Sequence, residues 1–389
     1  MIILDHPYVS EFLKDTAAEM QIPVLKNEMA TEINAKKELR LLEEAEFIKL
    51  IKEKGECSLY SNSENSLGWI SENLDFTGLP AKIELFKNKI KFRELLERIY
   101  PDFYFQGVDF EKLDEIRVED IKKPFIIKPS VGFFSLGVYK VSTDGEWFSV
   151  LQRIKAEVEE IKGRYPVQVL DTGKFIIEEN IEGEEFAVDA YFNSAGKPVV
   201  VNIFKHIFSS ENDVSDRVYF TSKSVIETYR EAVEDLLKEI GKLAGLKNFP
   251  LHIELRIGND RRIQPIEVNP MRFAGWCTTD LAYFAYGINT YRYFLRQLEP
   301  DWKRILEGRE GKSFCLVMLN KPVDLNLNEI KAFDYEKLLS DLEKPLELRK
   351  ADHEKYGFFG YMFTETRDSN WGEIERILKS DLKEYIIGN

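Results

Sequence analysis

The stretch LHIELRIGNDRRIQPIEVNP, residues 251 to 270, constrains the fold more than any other part of the chain. Two apolar runs with two-residue alternation flank Gly-Asn-Asp-Arg-Arg, the composition of a β-hairpin with a tight turn. Strand side chains alternate between faces, so Ile266 and Val268 point one way while Glu267 and Asn269 point the other. Pairing across a turn at 259–262 sets Glu254 opposite Glu267, on the face of Asn269 and close to His252. Like charges facing each other about 4 Å apart repel by ~4 kcal/mol at an effective dielectric of ~20 and weaken a sheet. Either a cation sits between them, or both side chains lie on a solvated face. Two carboxylates and an amide oxygen are hard ligands suited to Mg²⁺.

The chain has 389 residues, enough for two or three domains with cores of their own. Its net charge of −14 opposes non-specific binding to nucleic acid, so any phosphate site must be a local concentration of Lys, Arg and backbone N–H groups. No segment reaches the ~20 apolar residues of a membrane span, and the start, MIILDHPYVSEFLKD, lacks the basic and apolar regions of a secretory signal. A cytoplasmic protein is expected. Cys57, Cys277 and Cys315 are far apart and the four histidines scattered, which argues against a disulfide framework, structural zinc or a histidine-rich metal centre.

Along residues 1–85, strand and helix patterns alternate: MIILD, a helix over 8–20, IPVL, a helix over 38–54, CSLYSN and a helix over 66–74. This predicts a small parallel α/β domain. It is not a dinucleotide fold, because the first glycine is Gly55 and no glycine-rich turn can present a pyrophosphate to the first helix. Residues 86–175 hold a helix with Lys89 near its start, a hairpin over 124–141 and a helix over 147–163. Residues 176–305 hold the hairpin FAVDAYF/KPVVVNIFKHIF, a helix over about 224–246 and the carboxylate hairpin. From about 306 to 389 the order strand, helix (328–342), strand, strand, helix (371–386) reads as an appended α+β unit.

Lys128 ends the run FIIK, just before Pro129 and the loop SVGFFSLG. A loop with Gly132 and Gly137 can fold its N–H groups over phosphate oxygens, with a lysine beneath as a point charge; a mobile hairpin tip has the same composition. No Walker loop occurs. In FIIEENIEGEEF, an apolar strand runs into Glu178, Glu179, Asn180 and Ile181 and turns at Gly183. Its backbone edge could meet a purine, with a carboxylate beyond the turn for ribose. An acidic surface turn reads the same way.

Taken in order, the helix with Lys89, the strand ending Lys128-Pro129, the glycine-rich loop, Glu178-x-x-x-x-Gly183-x-Glu185-Phe186 and Glu267-x-Asn269-Pro270 resemble the ATP-grasp superfamily, over roughly residues 85 to 300. The resemblance implies a two-lobed ATP-grasp fold, first lobe 86–175 and second lobe 176–305, between the N-terminal and C-terminal parts. It implies ATP with Mg²⁺ or Mn²⁺ as cofactors. Lys89 and Lys128 would contact phosphates under a loop from Ser130 through Gly132 and Ser135 to Gly137. Glu178, with the backbone from Glu179 to Ile181, would hold adenine, and Glu185 ribose. Glu254, Glu267 and Asn269 would hold one or two metal ions; Arg272 and Lys128 would be the catalytic residues, Arg272 steadying the transferred phosphate or the substrate carboxylate. Family members often have arginine directly after Asn-Pro; here Met271 intervenes.

Such enzymes typically phosphorylate a carboxylate and pass the acyl group to an amine, with small-molecule substrates. That chemistry needs positioning and charge neutralisation more than an enzyme nucleophile, which agrees with the lack of a convincing nucleophile set. Lys205, His206, Arg217 and Arg256 are further cations for the cleft, or salt-bridge formers. The competing readings are a phosphotransferase on the same fold and a non-catalytic nucleotide-binding protein.

Overall fold

The computed structural model describes the whole chain except residues 133–136, 162–170, 211–215, 323, 327–328 and 389. Strands β1 (Ile2–Ile3), β2 (Pro23–Leu25), β3 (Arg40–Leu42) and β4 (Tyr60–Ser61) form a parallel sheet in the order β3-β2-β1-β4. The first helix, Glu11–Glu19, starts where Ser10 Oγ accepts from Phe12 N–H, and it buries Leu13, Thr16 and Ala17 against that sheet's core. The helix expected over 38–54 is shorter: its first part is the edge strand β3, and the helix runs Glu44–Lys54. Leu41 and Leu42 gain a ladder beside β2 that a local helix would forgo.

A second sheet is antiparallel, in the order β5-β8-β6-β7, from β5 (Phe105–Asp109), β6 (Phe125–Val131), β7 (Tyr139–Val141) and β8 (Asp171–Glu179). The helix Trp147–Ile161 covers it; Val150, Leu151, Ile154 and Val158 recur at helical spacing and are all buried.

The remaining strands are β9 (Glu184–Phe192), β10 (Pro198–Ile207), β11 (Val218–Ser222), β12 (Phe249–Ile257), β13 (Ile263–Pro270), β14 (Lys312–Asn320), β15 (Ile330–Phe333), β16 (Lys344–Lys350), β17 (Phe358–Arg367) and β18 (Ile386–Gly388). Eight of them make one antiparallel sheet, β13-β12-β9-β10-β11-β14-β17-β16. The C-terminal α+β unit is thus appended edge-on, by continuing the sheet that carries the carboxylate hairpin. The unbroken apolar run of β14 follows from cover on both faces: Phe314 and Leu316 join the main core, while Cys315, Val317 and Leu319 join a separate C-terminal one. β15 and β18 pair with each other, so the helices expected over 328–342 and 371–386 contract to Tyr335–Ser340 and Gly372–Lys379. On the main-core face lies the helix Lys223–Ala244, where Gly241 seats the Phe192 ring: a Cβ there would fall 2.1 Å from it. Among the described residues no helix is long and apolar enough to cross a membrane.

Candidate active site

The carboxylate hairpin forms with the expected register: Glu254 faces Glu267, and His252 faces Asn269. A bulge makes this so. Beyond it Leu255 faces Pro265, leaving Ile266 as the extra residue that turns Glu267 onto the Glu254 face. β13 is an edge strand, which tolerates Pro265 and Pro270.

The two acids differ in their surroundings. Lys89 Nζ lies 3.0 Å from Glu267 Oε2. Burial alone would raise the Glu267 pKa, but the charges of Lys89, Lys87 and Lys128 outweigh it and hold the acid at about 2. Glu254 has less help: among the described residues, no Lys or Arg reaches ion-pair distance, and His252 Nε2 stands 3.9 Å away. Burial first, then the Glu267 charge, push its pKa well up. An acid whose ionisation is opposed by burial and by a facing carboxylate is one that a divalent cation would satisfy. No three His, Cys, Asp or Glu residues converge as a cage among the described residues, so Glu254, Glu267 and the amide of buried Asn269 can supply only part of an octahedron, the usual state of Mg²⁺ beside phosphates.

Lys89 begins the helix Lys89–Leu96, whose N-cap Asn88 accepts from the N–H groups of Ile90 and Lys91. Its ammonium is buried and also reaches the Gly132 carbonyl at 3.4 Å, linking hairpin to glycine-rich loop. Lys128 is buried on β6 with Nζ 2.7 Å from Glu178 Oε1; burial lowers its pKa despite that partner. Two residues on, the Ser130 hydroxyl is fully buried and has no partner among the described residues. Gly137 closes the loop at φ 69°, with Pro129 3.1 Å from where a Cβ would be. Ser135 lies outside the described residues.

Both oxygens of Glu178 are engaged, one by Lys128 and the other by Arg93 Nε at 2.6 Å, so of the segment expected to hold adenine the backbone of Glu179–Ile181 remains rather than a free carboxylate. Of that backbone, Glu179 N–H donates to Tyr104 and Asn180 N–H to Pro124. Glu185 is held by Arg256 Nη2 at 3.0 Å and His206 Nδ1 at 3.1 Å, while Arg256 Nη1 also binds the Ile181 carbonyl at 2.9 Å. Lys205 pairs with Glu184. Arg217 Nη1 donates to the Ser380 carbonyl at the end of the C-terminal helix.

The extra Met271 is accommodated in the left-handed region, φ 67°, fully buried, its carbonyl accepting from Ser61 N–H at 2.9 Å. Arg272 then meets Glu64 of the N-terminal unit at 2.9 Å, and Glu64 also accepts from Lys87 at 2.6 Å. Burial would raise the Glu64 pKa; Lys87 and Arg272 bring it to about 2. Behind the hairpin, buried Asp189 binds His252 Nδ1 at 2.8 Å and Ala274 N–H at 2.7 Å. Sequence reasoning missed Arg93, Glu64, Lys87 and Asp189. Only Arg93 carries a local signal, one helical turn after Lys89 on the same face.

Residues 121–280 match the family model of the ATP-grasp domain. No curated protein matches the sequence. The fold is similar to that of an L-amino acid ligase from Bacillus licheniformis, with TM-score 0.68 at 16% identity over 100% of this chain and 98% of the other. It is also similar to N5-carboxyaminoimidazole ribonucleotide synthetase from Thermotoga maritima, with TM-score 0.65 at 13% identity over 100% and 98%. A third likeness is the biotin carboxylase domain of 2-oxoglutarate carboxylase from Hydrogenobacter thermophilus, solved with MgADP and bicarbonate, with TM-score 0.63 at 13% identity over 100% and 90%. The match shows an ATP-grasp domain over residues 121–280, and the three solved structures share the fold of the chain.

Proposed function

We propose that the protein is an ATP- and Mg²⁺-dependent ligase that phosphorylates a small-molecule carboxylate and joins the acyl phosphate to an amine, releasing ADP and phosphate. The observation that carries this reading is the facing pair Glu254 and Glu267 on β12 and β13, tied through buried Lys89 to the glycine-rich loop. Buried charges need partners. Lys89 and Lys128 lean on Glu267 and Glu178, and nucleotide phosphates match the cations in charge, as they match the orphaned Ser130 hydroxyl in hydrogen bonding. Bound Mg²⁺, or Mn²⁺ in its place, would neutralise charge on the transferred phosphate from Glu254, Glu267 and Asn269.

In this reading Lys89, Lys128 and the loop from Ser130 to Gly137 hold the phosphates and keep water from the acyl phosphate. The backbone of Glu179–Ile181 takes adenine, and Glu185, fixed by Arg256 and His206, takes ribose. Arg272, fixed by Glu64, steadies the phosphate or the substrate carboxylate. No enzyme nucleophile is required. The names of the ligase and synthetase of similar fold support the same reaction class.

The test is an ADP-release screen over mixtures of amino acids and small carboxylates with MgATP. ADP release that requires both an acid and an amine is the expected result. A stable phosphorylated product formed without an amine would make the protein a phosphotransferase; nucleotide binding without ADP release from any mixture would make it a binding protein.

A further inference from the structure

The guanidinium of Arg93 is buried, 4% exposed, at the junction of three elements. Arg93 itself stands one turn along the helix begun by Lys89. Its Nε donates to Glu178 Oε2 on β8 at 2.6 Å. On the other side, Nη1 donates to the Pro265 carbonyl at 2.7 Å and Nη2 to the Ile266 carbonyl at 3.4 Å, both on β13. The guanidinium plane lies over the Phe103 ring, 4.5 Å from its centroid.

Those two carbonyls belong to the bulge that aims Glu267. Ile266 is the extra residue and Pro265 the first residue paired beyond it. Because β13 is the sheet edge, its outward carbonyls have no neighbouring strand, and the guanidinium fork supplies donors in their place. Its planar geometry lets one side chain serve a carboxylate and two carbonyls together, which a lysine ammonium cannot match.

We infer that Arg93 is a positioning residue for the nucleotide site. It clamps the Glu178 strand of one sheet to the Glu267 bulge of the other, and so sets the separation of Lys128 from Lys89 and the carboxylate pair. The inference rests on the nucleotide-binding part of the proposed function and goes beyond it. Without the fork, the bulge loses its outer donors and Lys128 is left as the Nζ partner of Glu178. Nucleotide affinity then falls although no group that touches nucleotide has changed.

The test is calorimetric binding of MgATP to the full chain, with wild type, Arg93→Ala and Arg93→Lys compared below their melting temperatures. Arg93→Ala is expected to weaken binding at least tenfold, with 10–50 mM methylguanidinium restoring a measurable part of the loss. Arg93→Lys, which keeps the charge beside Glu178 but not the two carbonyl bonds, is expected to bind more weakly than wild type. It also provides the reading if Arg93→Ala fails to fold. A folded Arg93→Ala that binds within twofold of wild type overturns the inference, as does loss unaffected by methylguanidinium or an Arg93→Lys that binds like wild type. A wild type that binds no nucleotide overturns the proposed function and this inference together; normal wild-type binding with unchanged variants overturns this inference alone.

Discussion

Replacing Glu178 by glutamine removes one negative charge, with almost no change in shape, where two cations depend on it. The carboxylate is 2% exposed and accepts from Arg93 at 2.6 Å and Lys128 at 2.7 Å. Burial pushes its pKa up, but Arg93 and then Lys128 outweigh burial and bring it from 4.5 to about 2. A depression of that size corresponds to about 3 kcal/mol of folding free energy, the scale on which deleting one partner of a buried ion pair destabilises proteins. The folded pKa lies below the unfolded one, so the contribution is complete above about pH 4.5 and is lost as pH falls through about 2. Glu178→Gln is therefore expected to lower stability by about 3 kcal/mol at neutral pH, with the gap closing as the acid is titrated. Urea denaturation of both chains, followed by circular dichroism between neutral pH and the lower end of that window, measures the gap directly. A gap that stays constant across the window would refute the charge-based reasoning, and so would the absence of a gap at neutral pH.

Glu267→Gln keeps the shape of the side chain proposed to hold the metal but removes its charge; Mg²⁺-dependent ATP turnover should vanish while the far-ultraviolet dichroism is unchanged, and full turnover in this variant would sink the metal proposal. Gly183 adopts φ 122° with the Ile257 carbonyl 2.4 Å from where a Cβ would be, so Gly183→Ala should cost about 2–5 kcal/mol and weaken MgATP binding; an unchanged denaturation midpoint would contradict the turn geometry. Cys277 and Cys315 are fully buried with thiol pKa values pushed up by burial, whereas Cys57 is half-buried. An aromatic disulfide reagent should thus titrate no more than one thiol in the native chain and three after denaturation; rapid reaction of all three natively would contradict the packing.

The parts of the fold legible in the sequence are those whose signal is local. The β12/β13 hairpin was readable because alternation and a turn rich in Gly, Asn and Asp lie within one stretch. Its register survived because the extra residue, Ile266, falls on the turn side of the Glu254–Glu267 pair. The segments of β3 and β15 look helical in sequence because a short apolar run has no period of its own, and their partners β2 and β18 lie elsewhere in the chain. The motif residues followed the same rule. Lys89, Lys128, Glu254 and Glu267 stand in patterned surroundings, whereas Glu64 sits in SNSENS, where nothing distinguishes it from a polar loop.

The sequence by itself determined the element types around the cleft and the pairing of two acids across a hairpin, since each depends on neighbours a few residues away. Only the tertiary structure decided which charges meet. Glu178 finds Arg93 across 85 residues and Arg272 finds Glu64 across 208. It also decided that Glu267 is ionised beside Lys89 while Glu254 resists ionisation. The physical reason is that a buried charge is governed by whatever the fold brings within a few ångströms of it, and sequence spacing carries no record of that distance.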